Sequence, residues 1–180
     1  MANQATGLRR SYWDRVLIAD DALEIELFDE LFNRLSVETQ EEEGIVSGCD
    51  PEDTKYKALP GDWNTYPEYF AALMSANIIP VLPDHDIHYV FRGHTMHKGG
   101  KMATHADQSY SIAVSIYLSE CEGGRFRALS SDSDDEVLVA PRRNRAVVIK
   151  CETFHSVLEV EGGERKSIQV FIRYSPKKKG

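Results

Sequence analysis

Leucine residues near the start of the chain recur at the spacing of a helix. The stripe consists of Leu23, Leu27, Leu31 and Leu35. Side chains four residues apart share one face of an α-helix, so the stripe predicts an amphipathic helix that ends near Leu35 and packs against a core. We expect a short strand before it, at residues 16–18. A second helix is predicted from Thr65 onward and is expected to end at Pro80 and Pro83, because proline cannot continue a helix.

The hydrophobic period changes to two from Ile87 onward. In this part of the chain apolar residues alternate with polar ones, as they do in a β-strand with one buried face. Glycine pairs and prolines separate the alternating runs. Strands are predicted near residues 87–92, 111–117, 125–129, 136–140, 145–150, 157–160 and 167–174. Two helices followed by about eight short strands predict a mainly β fold, a double-stranded β-helix (jelly roll) buttressed by N-terminal α-helices.

The composition fits one globular domain. The chain has 180 residues, of which 42% are hydrophobic, which is enough to bury a core. We expect a single domain over residues 1–180, with residues 1–13 and 176–180 flexible. A net charge of −8 disfavours binding to nucleic acid, because phosphates repel an acidic surface. Three scattered cysteines, a polar N-terminus and the absence of a long apolar run predict a cytoplasmic protein without a membrane segment.

The strand-rich part contains a candidate metal site. His105 and Asp107 are two residues apart, and His155 comes from a distant predicted strand segment. Residues two apart on a strand point to the same face. Two imidazoles and one carboxylate that leave the other positions open are the ligands of non-haem Fe(II) oxygenases. These three residues are therefore the predicted metal ligands and the predicted catalytic centre.

A second pair of residues suits a carboxylate ligand. Arg165 and Ser167 are two residues apart and share a face of the last predicted strand. A planar, permanently charged guanidinium suits a bidentate contact with a carboxylate, such as the far carboxylate of 2-oxoglutarate. Lys166 falls on the opposite face by the same period, and Arg173 is the alternative cation on the face of Arg165.

Several motifs resemble those of the 2-oxoglutarate/Fe(II)-dependent dioxygenase superfamily. They are residues 116–118, which resemble the family's YLN strand end, residues 122–126, which resemble its GGxL turn, residues 139–149, which resemble its P-x-x-G-x-x-V-x-F strand pair, and residues 163–167, which resemble its G-x-R-x-S cosubstrate motif. The resemblance covers residues 87–175 and is nearest to the prolyl 4-hydroxylase-like branch. Asn144 stands where the family commonly has glycine, and Lys150 stands where it commonly has phenylalanine.

The resemblance implies Fe(II) as the metal, 2-oxoglutarate as the cosubstrate and O2 as the oxidant, with ascorbate as an expected stimulant. It implies that the His105, Asp107 and His155 side chains hold iron and that Arg165, supported by Ser167, pairs with the C5 carboxylate. The implied activity is hydroxylation of an aliphatic C–H bond, in a prolyl or other amino-acid residue of a peptide or in a free amino acid. Halogenating relatives lack the carboxylate ligand, so the presence of Asp107 favours hydroxylation.

Other residues are candidates for contacts with the cosubstrate or the substrate. Tyr117 or Tyr89 is expected to offer a hydroxyl to the cosubstrate. Arg92, His97 and Trp63 are the candidate substrate contacts. The long segments 36–62 and 94–104 are expected to act as substrate lids, because long loops on a rigid scaffold often carry specificity.

Alternative interpretations remain open from the sequence. The cluster formed by residues 84–88 contains four possible metal ligands, but beside two prolines it is more typical of a turn whose aspartates bond to the backbone. Of His94 and His97, one is expected to line the mouth of the site and the other to be solvated. The barrel could instead be a catalytically silent metal-binding module that acts as a sensor or interaction domain. A cupin-like metalloenzyme that does not use 2-oxoglutarate is the third candidate.

Overall fold

A computed structural model describes residues 10–13, 16–37, 42–43, 57–58, 67–130 and 135–178. The helices are α1, Ile25–Val37, and α2, Pro67–Ser75. The strands are β1 Arg10–Trp13, β2 Val16–Ala19, β3 Glu42–Glu43, β4 Lys57–Ala58, β5 His85–Met96, β6 Met102–His105, β7 Ile112–Tyr117, β8 Glu122–Gly123, β9 Phe126–Leu129, β10 Glu136–Val139, β11 Ala146–Lys150, β12 His155–Val157, β13 Val160–Gly162 and β14 Arg165–Pro176.

Antiparallel pairing joins the described strands into two facing sheets. The larger sheet has the order β1-β2-β11-β7-β14-β5-β4-β3, and the smaller one has the order β10-β9-β12-β6. A separate pair, β13-β8, lies beside them. Many neighbours in the sheets, such as β7 and β14 or β6 and β12, are distant in the chain, as in a jelly roll. The predicted mainly β fold with buttressing helices is confirmed.

The larger sheet separates two cores, and alternation along its strands assigns each side chain to one of them. In β7, Val114 and Ile116 pack with the helices, whereas Ala113 and Tyr117 face the smaller sheet. The first core contains Phe28 and other residues of α1 and α2, and the second fills the space between the sheets. Each fully buried apolar side chain contributes about 1.5–3 kcal/mol, so the helices hold the sheet by this apolar face.

Helix α2 ends before the predicted proline because of a left-handed residue. Asn77 has a φ of 53°, and its N–H donates to the carbonyl of Met74 at 2.9 Å. The N–H of Ile78 donates to the carbonyl of Leu73, also at 2.9 Å, and both side chains are buried in the first core. This hydrogen-bond pattern is a Schellman motif, in which asparagine replaces the more usual glycine. Pro80 lies beyond the point where the helix has already stopped.

Asn144 ties the segment before α1 to the larger sheet. Its φ of 59° lies in the left-handed region, which asparagine tolerates better than most residues and glycine best of all. The side chain also accepts a hydrogen bond from the N–H of Leu23 at 3.0 Å and donates one to the carbonyl of Leu23 at 2.7 Å. Next to it, Arg145 forms a bidentate pair with Asp20, at 2.5 and 3.0 Å. Asparagine at this position therefore adopts the backbone conformation that glycine would adopt. Its two hydrogen bonds to Leu23 form a clamp between the segment before α1 and the larger sheet.

Three parts of the chain differ from the sequence prediction. Residues 10–13 form β1 and pair with β2, although we expected them in a flexible arm. Strand β6 was expected only from the shared face of His105 and Asp107 and not from a hydrophobic period, because its four residues mix apolar and polar types. The predicted lid at 94–104 is mostly strand, with a tight turn at Gly99, where φ is 82°, so it is not a long loop. Most of the other predicted lid, residues 36–62, lies outside the described residues.

The described part of the chain also bears on membrane insertion. It contains no helix with the length and apolarity needed to cross a bilayer.

Substitution of Asn144 tests the clamp. Asn144→Gly keeps the backbone conformation but loses two buried hydrogen bonds, and should lower the free energy of unfolding by about 1–2 kcal/mol. Asn144→Ala adds left-handed strain of about 1 kcal/mol and should be the less stable of the two. Urea denaturation measures both. Asn33→Ala, on the exposed face of α1, is the control. An alanine variant as stable as the wild type would contradict the proposed clamp.

Candidate active site

Pairing between β6 and β12 brings the two predicted histidine ligands together. His105 and His155 are directly opposite each other in the register of these strands, and their ring centroids are 4.3 Å apart. The carboxylate of Asp107 lies beside both rings, with Oδ1 3.7 Å from Nε2 of His105 and Oδ2 3.5 Å from Nε2 of His155. One ligand atom from each residue lies within 4.8 Å of the others. The structure therefore brings the three predicted ligands to one point.

Asp107 reaches this point by a different route from the one expected. Strand β6 ends at His105, so alternation along a strand does not place the aspartate. Asp107 lies in the turn that follows, where its carbonyl accepts a hydrogen bond from the N–H of Tyr110 at 3.4 Å. The turn returns the carboxylate to the side on which His105 lies.

Backbone carbonyls orient both imidazoles in the same way. Nδ1 of His105 lies 2.9 Å from the carbonyl oxygen of Ala103, and Nδ1 of His155 lies 2.9 Å from that of Thr153. Because a carbonyl can only accept, each Nδ1 carries the proton and donates it. Each Nε2 is then left with its lone pair toward Asp107. A second hydrogen bond of this kind fixes the tautomer of metal-binding histidines in general.

The electrostatic environment of His155 favours the form that binds metal. Burial lowers the pKa of His155, and the neighbouring His105 lowers it further. A neutral imidazole can coordinate a cation, whereas a protonated one cannot. Phe126 stacks on the ring of His155 with centroids 5.5 Å apart and shields one side of it.

The residue types and their arrangement fit a ferrous ion. Two nitrogen donors and one carboxylate on the same side of a site, with other positions open, suit non-haem iron. Within the described ranges, this is the one group of three histidine, cysteine or acidic side chains that could surround a metal. The cluster at residues 84–88 does not form such a group. It lies in a turn and strand start, where the carbonyl of Asp84 accepts a hydrogen bond from the N–H of Lys177.

Arg165 is a buried cation at the start of β14. Only 1% of its surface is exposed, and its Nε donates to the carbonyl of Gly124 at 3.0 Å. Its Nη1 donates to Oγ of Ser167 at 3.2 Å, and its guanidinium lies 4.9 Å from the ring centre of Tyr117. Among the residues that the structure describes, no carboxylate pairs with it. A buried charge without a counter-ion is costly, so an anionic ligand beside this guanidinium would lower that cost.

Gly124 allows the backbone to approach Arg165 closely. Its φ is 58°, in the left-handed region, and a Cβ there would lie 2.9 Å from Sγ of Cys121 and 3.1 Å from Cδ of Arg165. Only glycine satisfies both constraints. The GG turn recognised in the sequence therefore lets a carbonyl reach the guanidinium.

Lys166 points away from this pocket. Its Nζ pairs with Glu164 at 3.0 Å and is partly exposed. Period two along β14 separates the two cations as predicted, so the anion pocket contains Arg165 alone of this pair.

Of the two candidate tyrosines, only Tyr117 lies in the pocket. It is fully buried opposite Ser167 in the β7–β14 register, with the guanidinium of Arg165 beside it. Burial raises the pKa of Tyr117, and the charge of Arg165 opposes this only in part, so the hydroxyl keeps its proton. Tyr89 instead stacks on Phe70 of α2, with centroids 4.0 Å apart. The larger sheet lies between Tyr89 and the pocket, which corrects our expectation for this residue.

The candidate substrate residues are placed differently from one another. Arg92 is on the face of β5 that points into the barrel, but its side chain remains exposed to solvent. Its guanidinium lies 5.3 Å from the ring centre of Phe171. His97 is at the surface, where its Nδ1 lies 3.1 Å from Oε1 of Glu164. It is therefore outside the group formed by the metal ligands. Trp63 lies outside the described residues.

The sequence did not show whether His94 or His97 lines the site. The structure places His94 inside the barrel on β5, 4% exposed, opposite Ser167. Burial, with the charge of Arg165 as the second cause, lowers the pKa of His94 to about 3. The alternation of β5 could have shown that His94 and His97 face opposite sides, but not which side is the interior.

The fold and the site together define a metal-dependent oxygenase with a jelly-roll barrel. The model of the 2OG-Fe(II) oxygenase superfamily matches residues 91–173, which include all three candidate ligands and Arg165. The strand-rich part of the chain is therefore similar to the 2OG-Fe(II) oxygenase superfamily, as the motifs indicated. This similarity, together with the His-Asp-His group, supports an oxidoreductase of the dioxygenase type that uses Fe(II), 2-oxoglutarate and O2.

Solved structures share the fold across most of the chain. A Pseudomonas putida prolyl-4-hydroxylase is 20% identical, with a TM-score of 0.71 over 89% of this chain and 93% of the other. A 2OG-Fe(II) oxygenase family oxidoreductase from Burkholderia pseudomallei is 18% identical, with a TM-score of 0.70 over 88% and 84%. A Trichoplax adhaerens prolyl hydroxylase, in complex with a hypoxia inducible factor peptide fragment, is 14% identical, with a TM-score of 0.71 over 89% and 84%. No curated protein matches the chain.

Removal of a predicted ligand tests the metal site. His105→Ala and Asp107→Ala should each abolish stable binding of Fe(II), because two remaining ligands hold the ion much more weakly than three. Iron content after anaerobic loading and desalting measures this directly. His88→Ala, an exposed histidine on β5, is the matched control and should retain the wild-type iron content. Full iron retention by both ligand variants would show that the metal binds elsewhere.

Substitution of Arg165 separates the anion pocket from the metal site. Arg165→Ala removes a charge-assisted contact worth about 1.5–3 kcal/mol, so the dissociation constant for 2-oxoglutarate should rise about 10- to 100-fold. Iron content should stay unchanged. Anaerobic titration of the Fe(II) protein, followed by the visible charge-transfer band, gives the constant. Lys166→Ala, one residue away on the opposite face, should bind 2-oxoglutarate normally. Equal affinity in Arg165→Ala and wild type would refute the assignment.

Proposed function

We propose that this protein is a hydroxylase that inserts one oxygen atom of O2 into an aliphatic C–H bond. This proposal rests on a His-His-Asp group in the same barrel as a buried arginine for which the described residues provide no carboxylate partner. The reaction would convert substrate, 2-oxoglutarate and O2 into hydroxylated substrate, succinate and CO2. Bound Fe(II) would supply the oxidising chemistry, and the chain would supply orientation and shielding.

The residues of the chain have separate tasks in this proposal. His105, His155 and Asp107 would hold the metal from one side and leave its other positions to exchangeable ligands. Arg165 would pair with the C5 carboxylate of 2-oxoglutarate, and the hydroxyls of Ser167 and Tyr117 would add hydrogen bonds. This anchoring would orient the opposite end of the cosubstrate toward the metal.

The walls of the site would keep water away from the reacting atoms. Phe126 covers one face of His155, and Met96, Met102 and Val157 form a buried apolar cluster beside the pocket. A dry site strengthens the contact between Arg165 and a carboxylate and limits side reactions. Because the carboxylate ligand Asp107 is present, we propose hydroxylation and not halogenation.

For the substrate, we propose a prolyl or other amino-acid residue in a peptide, or a free amino acid. The similarity to prolyl hydroxylases, one of them in complex with a peptide fragment, supports this class. Arg92 supports a substrate with a carboxylate, because within the described residues its guanidinium contacts an aromatic ring and no acidic group. We propose that Arg92 contacts the substrate, whereas the position of His97 gives no support for such a role.

We propose a cytoplasmic location and no nucleic-acid partner. The unpaired thiols of Cys121 and Cys151 are consistent with a reducing compartment. The net charge of −8 is unfavourable for contact with a phosphate backbone.

Turnover of 2-oxoglutarate tests the proposed function. The protein, supplied with Fe(II), ascorbate, O2 and 2-oxoglutarate, should form succinate slowly, and faster with the right compound from a panel of proline-containing peptides and free amino acids. The product should be heavier by one oxygen atom in mass spectrometry. His105→Ala is the inactive control. Confirmed iron binding without any succinate, coupled or uncoupled, would favour the silent metal-binding barrel instead.

Paired substrates test the role of Arg92. Among panel compounds that stimulate succinate formation, the free acid should be preferred to its amide, because only the acid presents a carboxylate to the guanidinium. Arg92→Gln should raise KM for the acid about tenfold, the equivalent of about 1.4 kcal/mol, and leave KM for the amide unchanged. Arg125→Gln, an exposed arginine elsewhere, is the control. Equal effects of Arg92→Gln on acid and amide would exclude a direct contact.

A further inference from the structure

A row of three polar side chains crosses the interior of the barrel next to Arg165. In the strand register, Ser167 of β14 is directly opposite His94 of β5 on one side and Tyr117 of β7 on the other. Cβ atoms of residues directly opposite each other in antiparallel strands are about 4.5–5.5 Å apart. The three side chains therefore form one continuous polar strip. All three residues are buried, with at most 4% of their surface exposed.

Arg165 lies two residues before Ser167 on the same face of β14, next to this row. It hydrogen-bonds to Ser167, and its guanidinium lies over the ring of Tyr117. Met96, two residues from His94 on the same face of β5, is directly opposite Arg165 in the register, so the imidazole of His94 lies next to the Arg165 pocket. A molecule that extends from the metal to Arg165 would pass beside His94.

We infer that His94 is a further contact for the cosubstrate, donating a hydrogen bond to the far carboxylate of 2-oxoglutarate and selecting dicarboxylic over monocarboxylic 2-oxo acids. This inference rests on the proposed function. It adds a residue from β5, a strand that lies on the opposite side of β14 from Tyr117.

The chemistry of the row suits this role. An ionised carboxylate has about four acceptor sites, more than the free N–H groups of one guanidinium can fill from one side. The hydroxyls of Ser167 and Tyr117 and one imidazole N–H complete the set of donors. Burial keeps His94 neutral, since its pKa is lowered to about 3. A neutral imidazole retains one N–H donor and does not add another positive charge beside Arg165.

Two 2-oxo acids of equal length test the inference without any need for turnover. 2-Oxoglutarate and 2-oxopentanoate both have five carbons and the same metal-binding end, but only the former has a far carboxylate. Each would be titrated anaerobically into the Fe(II) protein and followed by the visible charge-transfer band. His94→Leu should weaken the binding of 2-oxoglutarate about tenfold and change the binding of 2-oxopentanoate less than twofold. His94→Gln, which keeps an N–H donor, should restore part of the affinity.

Controls separate a direct contact from a general defect. His88→Leu is on the same strand and the same face but is exposed, and it should bind both acids as the wild type does. Iron content and thermal unfolding show whether each His94 variant binds iron and is folded. If His94→Leu does not fold, the binding of the two acids is compared in His94→Phe and His94→Gln.

Different results would overturn different claims. Equal weakening of both acids in every folded His94 variant would show that the residue acts on the metal end or only on packing, and would overturn the inference. Unchanged affinity for 2-oxoglutarate would overturn it as well. If the wild-type Fe(II) protein gave no band with 2-oxoglutarate, the proposed function itself would fail, and the inference with it.

Discussion

Alternation along β14 determines which side chains line the barrel interior. Ile168, Val170 and Ile172 are buried against the helices, and the residues between them face the barrel interior. A shift of the strand by one residue would exchange these two sets, placing apolar groups in the pocket and a guanidinium in the helix core. The burial of the aliphatic set therefore holds Arg165 and Ser167 in the interior. Pairing of β14 with both β5 and β7 then places His94 and Tyr117 beside them.

The metal site depends on a second pairing, between β6 and β12, in the smaller sheet. These strands are short, and the register places one histidine opposite the other. Each imidazole is oriented by a carbonyl two residues before it in the chain, so local backbone geometry sets the tautomer and the long-range pairing sets the distance. The aspartate comes from a turn. The two sheets face each other across the interior, which brings the metal ligands of one sheet near the anion pocket of the other.

Much of the fold could be predicted from the hydrophobic pattern, because both helices and most long strands have a clear period. The secondary-structure prediction was wrong where the local structure depends on one residue or on strands that are distant in the chain. Asn77 ends α2 through a left-handed cap that the helical period does not reveal. Strand β6 is too short to show alternation, and residues 10–13 become a strand only by pairing with β2. Tyr89 and Tyr117 looked equivalent because alternation relates residues within one strand and not between strands.

The residue types, and which of them share a face within one element, follow from the sequence alone. It placed Arg165 and Ser167 on one side of a strand and Lys166 on the other, and its motifs pointed to the superfamily. Which face of each strand is the interior depends on how the strands pair: even-numbered residues of β5, but odd-numbered residues of β7 and β14, face the pocket. The physical reason is that register and sheet order arise from contacts between residues far apart in the chain, where burial of one face, and not local preference, selects the pairing.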